Sequence, residues 1–304
     1  MKVLLDFKLE IQKLKAKRNA VILAHNYQLD EVQEVADYVG DSFYLSKIAA
    51  STQQDVIVFC GVQFMAETAK ILSPQKVVLL PEQDAGCPLA DMITAQGLRE
   101  LKANHPGVPV VCYVNSSAEV KAESDICCTS ANALKIVASL PEKKVIFVPD
   151  ENLGDYVAKQ LPQKELILWQ GHCITHAKVK PNNVKLVREQ YPNAQVLIHP
   201  ECHPSVVELA DFVGSTSEII HYAKQSEAKT FVIGTEVGVV SYLKMQLPHK
   251  EFLLLHSGLV CPNMKKTRLE SVYEALRNNQ YEIQVPDNLA NQARQTLERM
   301  LEVQ

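Results

Sequence analysis

The chain has 304 residues with 47% hydrophobic and 22% charged side chains, so it is too long for one core, too apolar for disorder and, with 11 glycines and 15 prolines, no fibre. Its 31 basic and 35 acidic residues leave a formal charge of −4 with no long run of one sign. That balance excludes the usual footprint of a nucleic-acid or anionic-membrane protein and leaves small molecules as the expected partners. No apolar stretch reaches the roughly 20 residues that span a bilayer, and Asp6, Lys8 and Glu10 interrupt the apolar core a signal peptide needs. A cytoplasmic location is expected. In that reducing compartment the eight cysteines call for metal ligation, catalysis or burial instead of a disulfide scaffold.

In chain order, strands are predicted near 20–25, 56–60 and 77–80, and helices near 30–39, 42–51, 63–72 and 94–104. Asp30 and Ser42 read as N-caps, and Gly40 as the left-handed residue that ends the first of those helices. The same unit then recurs. Val21-Ile-Leu-Ala-His25-Asn26 aligns with Val110-Val-Cys-Tyr113-Val-Asn115 and with Val196-Leu-Ile-His199-Pro-Glu201, at offsets of 88 and 86 residues counted from His25 to Tyr113 to His199. Ser42, Ser130 and Thr216 keep the same two offsets, and the apolar runs from Val56, Val145 and Phe231 follow within one residue of them. This divides the chain into repeats at 1–105, 106–191 and 192–304, the last carrying a C-terminal helix with Leu289, Ala293, Leu297, Met300 and Leu301 on one side. Short Val/Ile/Leu runs alternating with amphipathic stretches define an α/β fold with parallel sheets. Three such α/β/α domains, related by a pseudo-threefold axis, would aim their strand-end loops at one centre.

One cysteine stands in the loop after the last strand of every unit: Cys87, Cys173 and Cys261, 86 and 88 residues apart. Cys60, Cys112, Cys127, Cys128 and Cys202 lack a counterpart in all three. Converging thiols suit zinc, with His172 or His176 as a fourth ligand, or an iron–sulfur cubane that three cysteines leave open at one iron. His25, Tyr27, Tyr113, Asn115, His199 and Glu201 occupy the equivalent first-strand ends. His199 and Glu201, two apart on an extended segment, can face one side as an acid–base pair. Ser42, Ser130, Ser215 and Thr216 are placed at helix starts, where free N–H groups favour anions; the plain alternative is ordinary capping.

These stretches resemble the quinolinate synthase family. The matching residues are Ile22-Leu-Ala-His25-Asn26-Tyr27-Gln28, Val39-Gly-Asp-Ser42, Gly61-Val-Gln-Phe-Met-Ala-Glu-Thr-Ala-Lys70, Tyr113-Val-Asn115-Ser116, Thr129-Ser130-Ala-Asn132, Gly171-His-Cys173, His199-Pro-Glu201-Cys202, Val213-Gly-Ser-Thr216 and Cys261. The resemblance implies three domains around a [4Fe–4S] cluster held by Cys87, Cys173 and Cys261. It also implies condensation of iminoaspartate with dihydroxyacetone phosphate to quinolinate, with loss of phosphate and two waters, in NAD biosynthesis. Glu201, His199, Tyr27, His25 and Tyr113 would be catalytic, and His25, Ser42, Tyr113, Asn115, Ser130, His199, Glu201, Ser215 and Thr216 would bind substrate. The implied partners are those substrates, an enzyme supplying iminoaspartate, and iron–sulfur carriers. Some members carry a CxxCxxC run at the third cysteine; this chain has Cys261 alone, so any disulfide switch built on that run is absent. The competing readings are a metal- or cluster-stabilised sensor of an acidic metabolite and an aconitase-like hydro-lyase on another substrate.

Overall fold

The computed structural model describes residues 2–303. Strands β1 (Ala20–His25), β2 (Tyr38–Gly40), β3 (Val56–Cys60) and β4 (Val77–Leu79) form the first sheet. The second contains β5 (Val110–Tyr113), β6 (Ile126–Cys128), β7 (Lys144–Val148) and β8 (Glu165–Leu168), and the third β9 (Gln195–Ile198), β10 (Phe212–Val213), β11 (Thr230–Gly234) and β12 (Glu251–Leu254). All three are parallel and share one order, β2-β1-β3-β4 and its equivalents. Helices cover both faces, which is why β1 and β3 are buried along their whole length and read as unbroken apolar runs. The α/β class with three similar domains is therefore as expected, and no described helix is long and apolar enough to cross a membrane.

Each sheet has one strand more than its sequence pattern announced. The helix expected over 30–39 is a single turn, Asp30–Gln33, capped by Leu29 and not Asp30, and the chain then enters β2. The residue that recruits β2 is Asp37. Its Oδ2 accepts the Ile22 N–H at 2.8 Å, while its own N–H donates to the Ile22 carbonyl at 2.9 Å. Asp125 does the same with Val110 and Asp211 with Val196, each carboxylate at 2.7 Å. An aspartate at offsets of 88 and 86 thus fixes the start of the short second strand in every domain. Gly40 does not end a helix in the left-handed region; it pairs with His25 inside β2, where a Cβ would collide with the Tyr44 ring. Ser42 is the first residue of helix Ser42–Ser51, and Asp41 is its cap, accepting the Tyr44 N–H at 2.9 Å.

The helices that end the expected repeats are shared with the next domain. Helix Pro181–Gln190 buries Val184 against Val196, Ile198 and Val206 of the third domain. Helix Leu269–Asn278 buries Leu269, Val272, Ala275 and Leu276 against Ile11, Ile22 and Val58 of the first. The chain thus returns to the domain where it began. The terminal helix Asp287–Glu302 follows it, with Ala290, Ala293, Leu297 and Met300 packed on helices Ala118–Ala122 and Gln63–Leu72 and on β6. It straddles the first and second domains, not the third.

Candidate active site

The carboxyl ends of β1, β5 and β9 point into one cavity that all three domains line. His25 closes β1, Tyr113 closes β5, and His199 follows β9 directly. Residues of His25, Tyr27, Ser42, Tyr113, Asn115, Ser130, His199, Glu201 and Thr216 all line the cavity, as do Cys87, Cys173 and Cys261. Ser215 does not. It is buried as the cap of helix Thr216–Gln225, its hydroxyl accepting the Glu218 N–H, so Thr216 alone represents that helix start. Ser130 lies in the turn before helix Ala133–Ser139, whose cap position is Asn132, so it faces the cavity without opening a helix.

Among the described residues no lysine or arginine lines the cavity. Anionic groups there must be met by peptide N–H groups at the starts of helices Ser42–Ser51 and Thr216–Gln225, by hydroxyls and by neutral imidazoles. Two of those imidazoles have their tautomers set by the same local bond. The Tyr27 N–H donates to His25 Nδ1 at 3.2 Å, and the Glu201 N–H donates to His199 Nδ1 at 3.3 Å. With Nδ1 accepting, each ring carries its hydrogen on Nε2. Burial pushes both down to about 3, so at neutral pH they act as uncharged donors.

Glu201 is 4% exposed and sits at the centre of the acid–base groups. Burial alone would raise its carboxyl, but the His176 imidazole beside it, the nearby His199 ring and the hydrogen bond from Tyr113 outweigh burial and hold it down. His176 Nδ1 is 2.7 Å from Oε2, and Tyr113 donates its hydroxyl to Oε1 at 2.6 Å. Burial, with the charge of Glu201 adding to it, pushes the phenols of Tyr113 and Tyr27 up, so both stay protonated donors. The rings of His176 and His199 stack at 4.8 Å. The Asn115 side-chain oxygen is buried without a partner, an acceptor left free for a ligand donor.

One backbone bond docks every cysteine loop. The first N–H of the helix after the third strand of each domain donates to the carbonyl two residues before the cysteine: Gln63 to Ala85 at 2.8 Å, Glu151 to Gly171 at 2.8 Å, and Val237 to Leu259 at 2.9 Å. Burial pushes all three thiols up, and peptide N–H groups just downstream offset part of that: Ala90 and Leu89 for Cys87, His176 for Cys173, Met264 and Asn263 for Cys261. Such donors stabilise an anionic sulfur, the form that binds metal. The other five cysteines are buried outside the cavity. The only His, Cys, Asp or Glu group among the described residues whose ligand atoms all lie within 4.8 Å is Cys173, His176 and Glu201. Cys87, Cys173 and Cys261 therefore spread wider than one zinc ion permits, since bonds of about 2.3 Å keep two thiolates within about 4.6 Å. Three separated thiols on one cavity fit a polynuclear cluster.

Four further residues carried no signal in the repeat pattern. His176 flanked Cys173 only as a possible zinc ligand, Thr235 stands where the other domains have Gly61 and Pro149, and Asp150 and Glu236 cap the helices after β7 and β11. Asp150 Oδ2 accepts the Cys173 N–H at 3.2 Å, and Glu236 Oε1 accepts the Cys261 N–H at 3.1 Å.

Fold and site define a three-domain α/β protein with a shared strand-end cavity that combines titratable groups and three cysteines. The sequence profile of the family described as quinolinate synthetase A protein matches residues 9–302. The chain is 62% identical over 294 residues to the quinolinate synthase of Alkaliphilus metalliredigens, with 97% of each chain covered. It is 59% identical over 296 residues to that of Caldicellulosiruptor saccharolyticus, covering 97% of this chain and 98% of the relative, and 57% identical to that of Geobacter metallireducens over 97% of both. The chain belongs to the quinolinate synthetase A family.

Proposed function

We propose that this chain is a cytoplasmic quinolinate synthase that condenses iminoaspartate with dihydroxyacetone phosphate, releasing phosphate and two waters, in NAD biosynthesis. The observation that carries the proposal is the convergence of Cys87, Cys173 and Cys261 on the cavity that also holds Glu201, Tyr113, His25 and His199. The three cysteines would hold a [4Fe–4S] cluster, and the chemistry it supplies when bound is Lewis-acid polarisation of a substrate oxygen at the iron without a protein ligand.

This chain's residues do the rest. Helix starts at Ser42 and Thr216, together with Ser130, seat carboxylate and phosphate groups in a cavity free of cationic side chains. His25 and His199 present Nε2–H to carbonyl or carboxylate oxygens. Glu201, ionised and exchanging protons with Tyr113 and His176, removes the proton that isomerisation and ring closure require, and the phenols of Tyr27 and Tyr113 return protons to departing oxygens.

Anaerobically reconstituted protein should form quinolinate from the two substrates. A protein with full iron and sulfide that forms none would overturn the assignment. The Cys173, His176 and Glu201 grouping favours one other reading, a single-ion site in a metabolite sensor. One zinc and no sulfide per chain would establish that reading instead.

A further inference from the structure

The helix after the third strand of each domain meets the next domain at one repeated position. Its second residue is Phe64, Asn152 or Gly238, spaced by 88 and 86 residues like the strand ends. Asn152, in the second domain, is 6% exposed and donates its Nδ2–H to the Glu201 backbone carbonyl of the third at 3.2 Å. Gly238, in the third, lies so near the first that a Cβ would stand 2.4 Å from the Asn26 carbonyl oxygen and 3.0 Å from the Tyr27 Cα. Phe64, in the first, lines the cavity and shares a small recess behind it with Val114 of the second. Tyr27 and Glu201 themselves hold equivalent positions, two residues beyond His25 and His199.

Neither contact is a requirement of the helix that makes it. Asp150 caps the helix of Asn152 by accepting the Leu153 N–H at 2.8 Å, so the Asn152 amide is left free to reach the third domain. Gly238 is not among the residues with positive φ, so no turn calls for a glycine there. Glycine weakens a helix relative to alanine, and what the bare Cα permits here is the approach of the Asn26 carbonyl.

Both contacted residues are also held by their side chains from the same neighbouring domain. The Glu201 carboxylate accepts the Tyr113 hydroxyl of the second domain at 2.6 Å, so backbone and side chain both dock there. The Tyr27 hydroxyl lies 2.9 Å from Thr216 Oγ1 and 2.8 Å from Thr235 Oγ1, and its carbonyl accepts from Lys265 Nζ at 2.6 Å, all in the third domain. Glu201 is thus seated on the second domain and Tyr27 on the third.

We propose that Asn152 and Gly238 are positioning residues for the reaction: the Asn152 bond sets where Glu201 stands against Tyr113, and the bare Cα of Gly238 sets how deeply Tyr27 seats between the two threonines. This rests on the catalytic reading of Glu201 and Tyr27 above. Domain packing and alignment of the acid–base groups are then a single event.

The test uses the cluster-loaded protein. Asn152→Ala and Gly238→Ala should each lower kcat by about 10²-fold, the scale of a displacement of about 1 Å, with KM and iron content near those of the parent. Asn152→Asp, which keeps the shape but turns an acceptor toward the Glu201 carbonyl, should recover none of the loss. Gly154→Ala, in the same helix as Asn152, brings its Cβ against the Leu168 and Phe147 side chains only and should keep kcat. Asn152→Ala should cost little more in a Glu201→Gln background, and Gly238→Ala little more in a Tyr27→Phe background, because each acts through the residue already disabled. Effects that multiply within either pair, or an equal fall in Gly154→Ala, would overturn the proposal. So would loss of the fold or of iron in Asn152→Ala or Gly238→Ala, which would make those residues structural. Full turnover in both, with lost turnover in Glu201→Gln and Tyr27→Phe, overturns the positioning and leaves the function standing; full turnover in Glu201→Gln and Tyr27→Phe overturns both.

Discussion

The loop that carries Cys87 and the loops that carry Cys173 and Cys261 reach the cavity through the same backbone bond, yet they are clamped differently. In the second and third domains the cap of the helix after the third strand is an acid, Asp150 or Glu236, that bonds both its own helix and the cysteine N–H. In the first domain the same position is Val62, which has no side-chain bond to give. There the loop is held from outside: Asn263, two residues beyond Cys261, donates to the Gly86 carbonyl at 2.8 Å, and Lys266 reaches Asp84. Lys265 ties the third loop back to the first domain by bonding both Glu236 and the Tyr27 carbonyl. The difference teaches that the ring of three loops closes from the third domain onto the first, as helix Leu269–Asn278 also does.

Predictions follow that order of attachment. The largest effect is at the thiols: Cys87→Ala, Cys173→Ala or Cys261→Ala should each abolish the brown chromophore and the iron content of anaerobically purified protein. Alanine at Cys60, Cys112, Cys127, Cys128 or Cys202 should leave both in place. Next is Glu201→Gln, which should lose about 10²–10⁴-fold in turnover with melting temperature and cluster retained. A variant that lost the cluster as well would make Glu201 a structural group.

The clamps come third. Asp150→Ala strands two peptide N–H groups in a buried setting, an effect of about 1–3 kcal/mol for each unsatisfied donor, and should speed loss of iron to a chelator. Glu236→Ala should do the same and free Lys265, whereas Val62→Ala should leave the chelation rate near that of the parent chain. Equal rates in all three would show that the backbone bond alone holds the loops. The smallest effect on chemistry is expected at Leu297, fully buried where the terminal helix crosses the first and second domains. Leu297→Ala should lower stability by about 2–5 kcal/mol in denaturant unfolding, with turnover per folded chain unchanged.

Much of this was legible in sequence because it repeats. The offsets of 88 and 86 located the strand ends, the three loop cysteines and the residues His25, Tyr113 and His199 before any fold was known. What escaped does not repeat or is too short to carry a period. Strand β10 has two residues, and β2 three, too few for alternation; Asp37 holds β2 through a bond that a helix-cap reading of Asp30 and Gly40 obscured. The helices at domain borders were read with the strand before them, though their apolar faces belong to the sheet after them or, for Leu269–Asn278, to the first. Thr235, Asp150, Glu236 and His176 matter through contacts made across domains or loops, which no local pattern encodes.

The claim that the three loops hold one open cluster beside Glu201 has a direct spectroscopic test. In ⁵⁷Fe-labelled protein, Mössbauer spectra should show about four irons per chain, of which one site shifts when a hydroxylated dicarboxylate analogue binds. Tight binding of that analogue with every iron site unchanged would contradict the account, because the cluster would then lie apart from the chemistry that Glu201, Tyr113 and the two histidines surround.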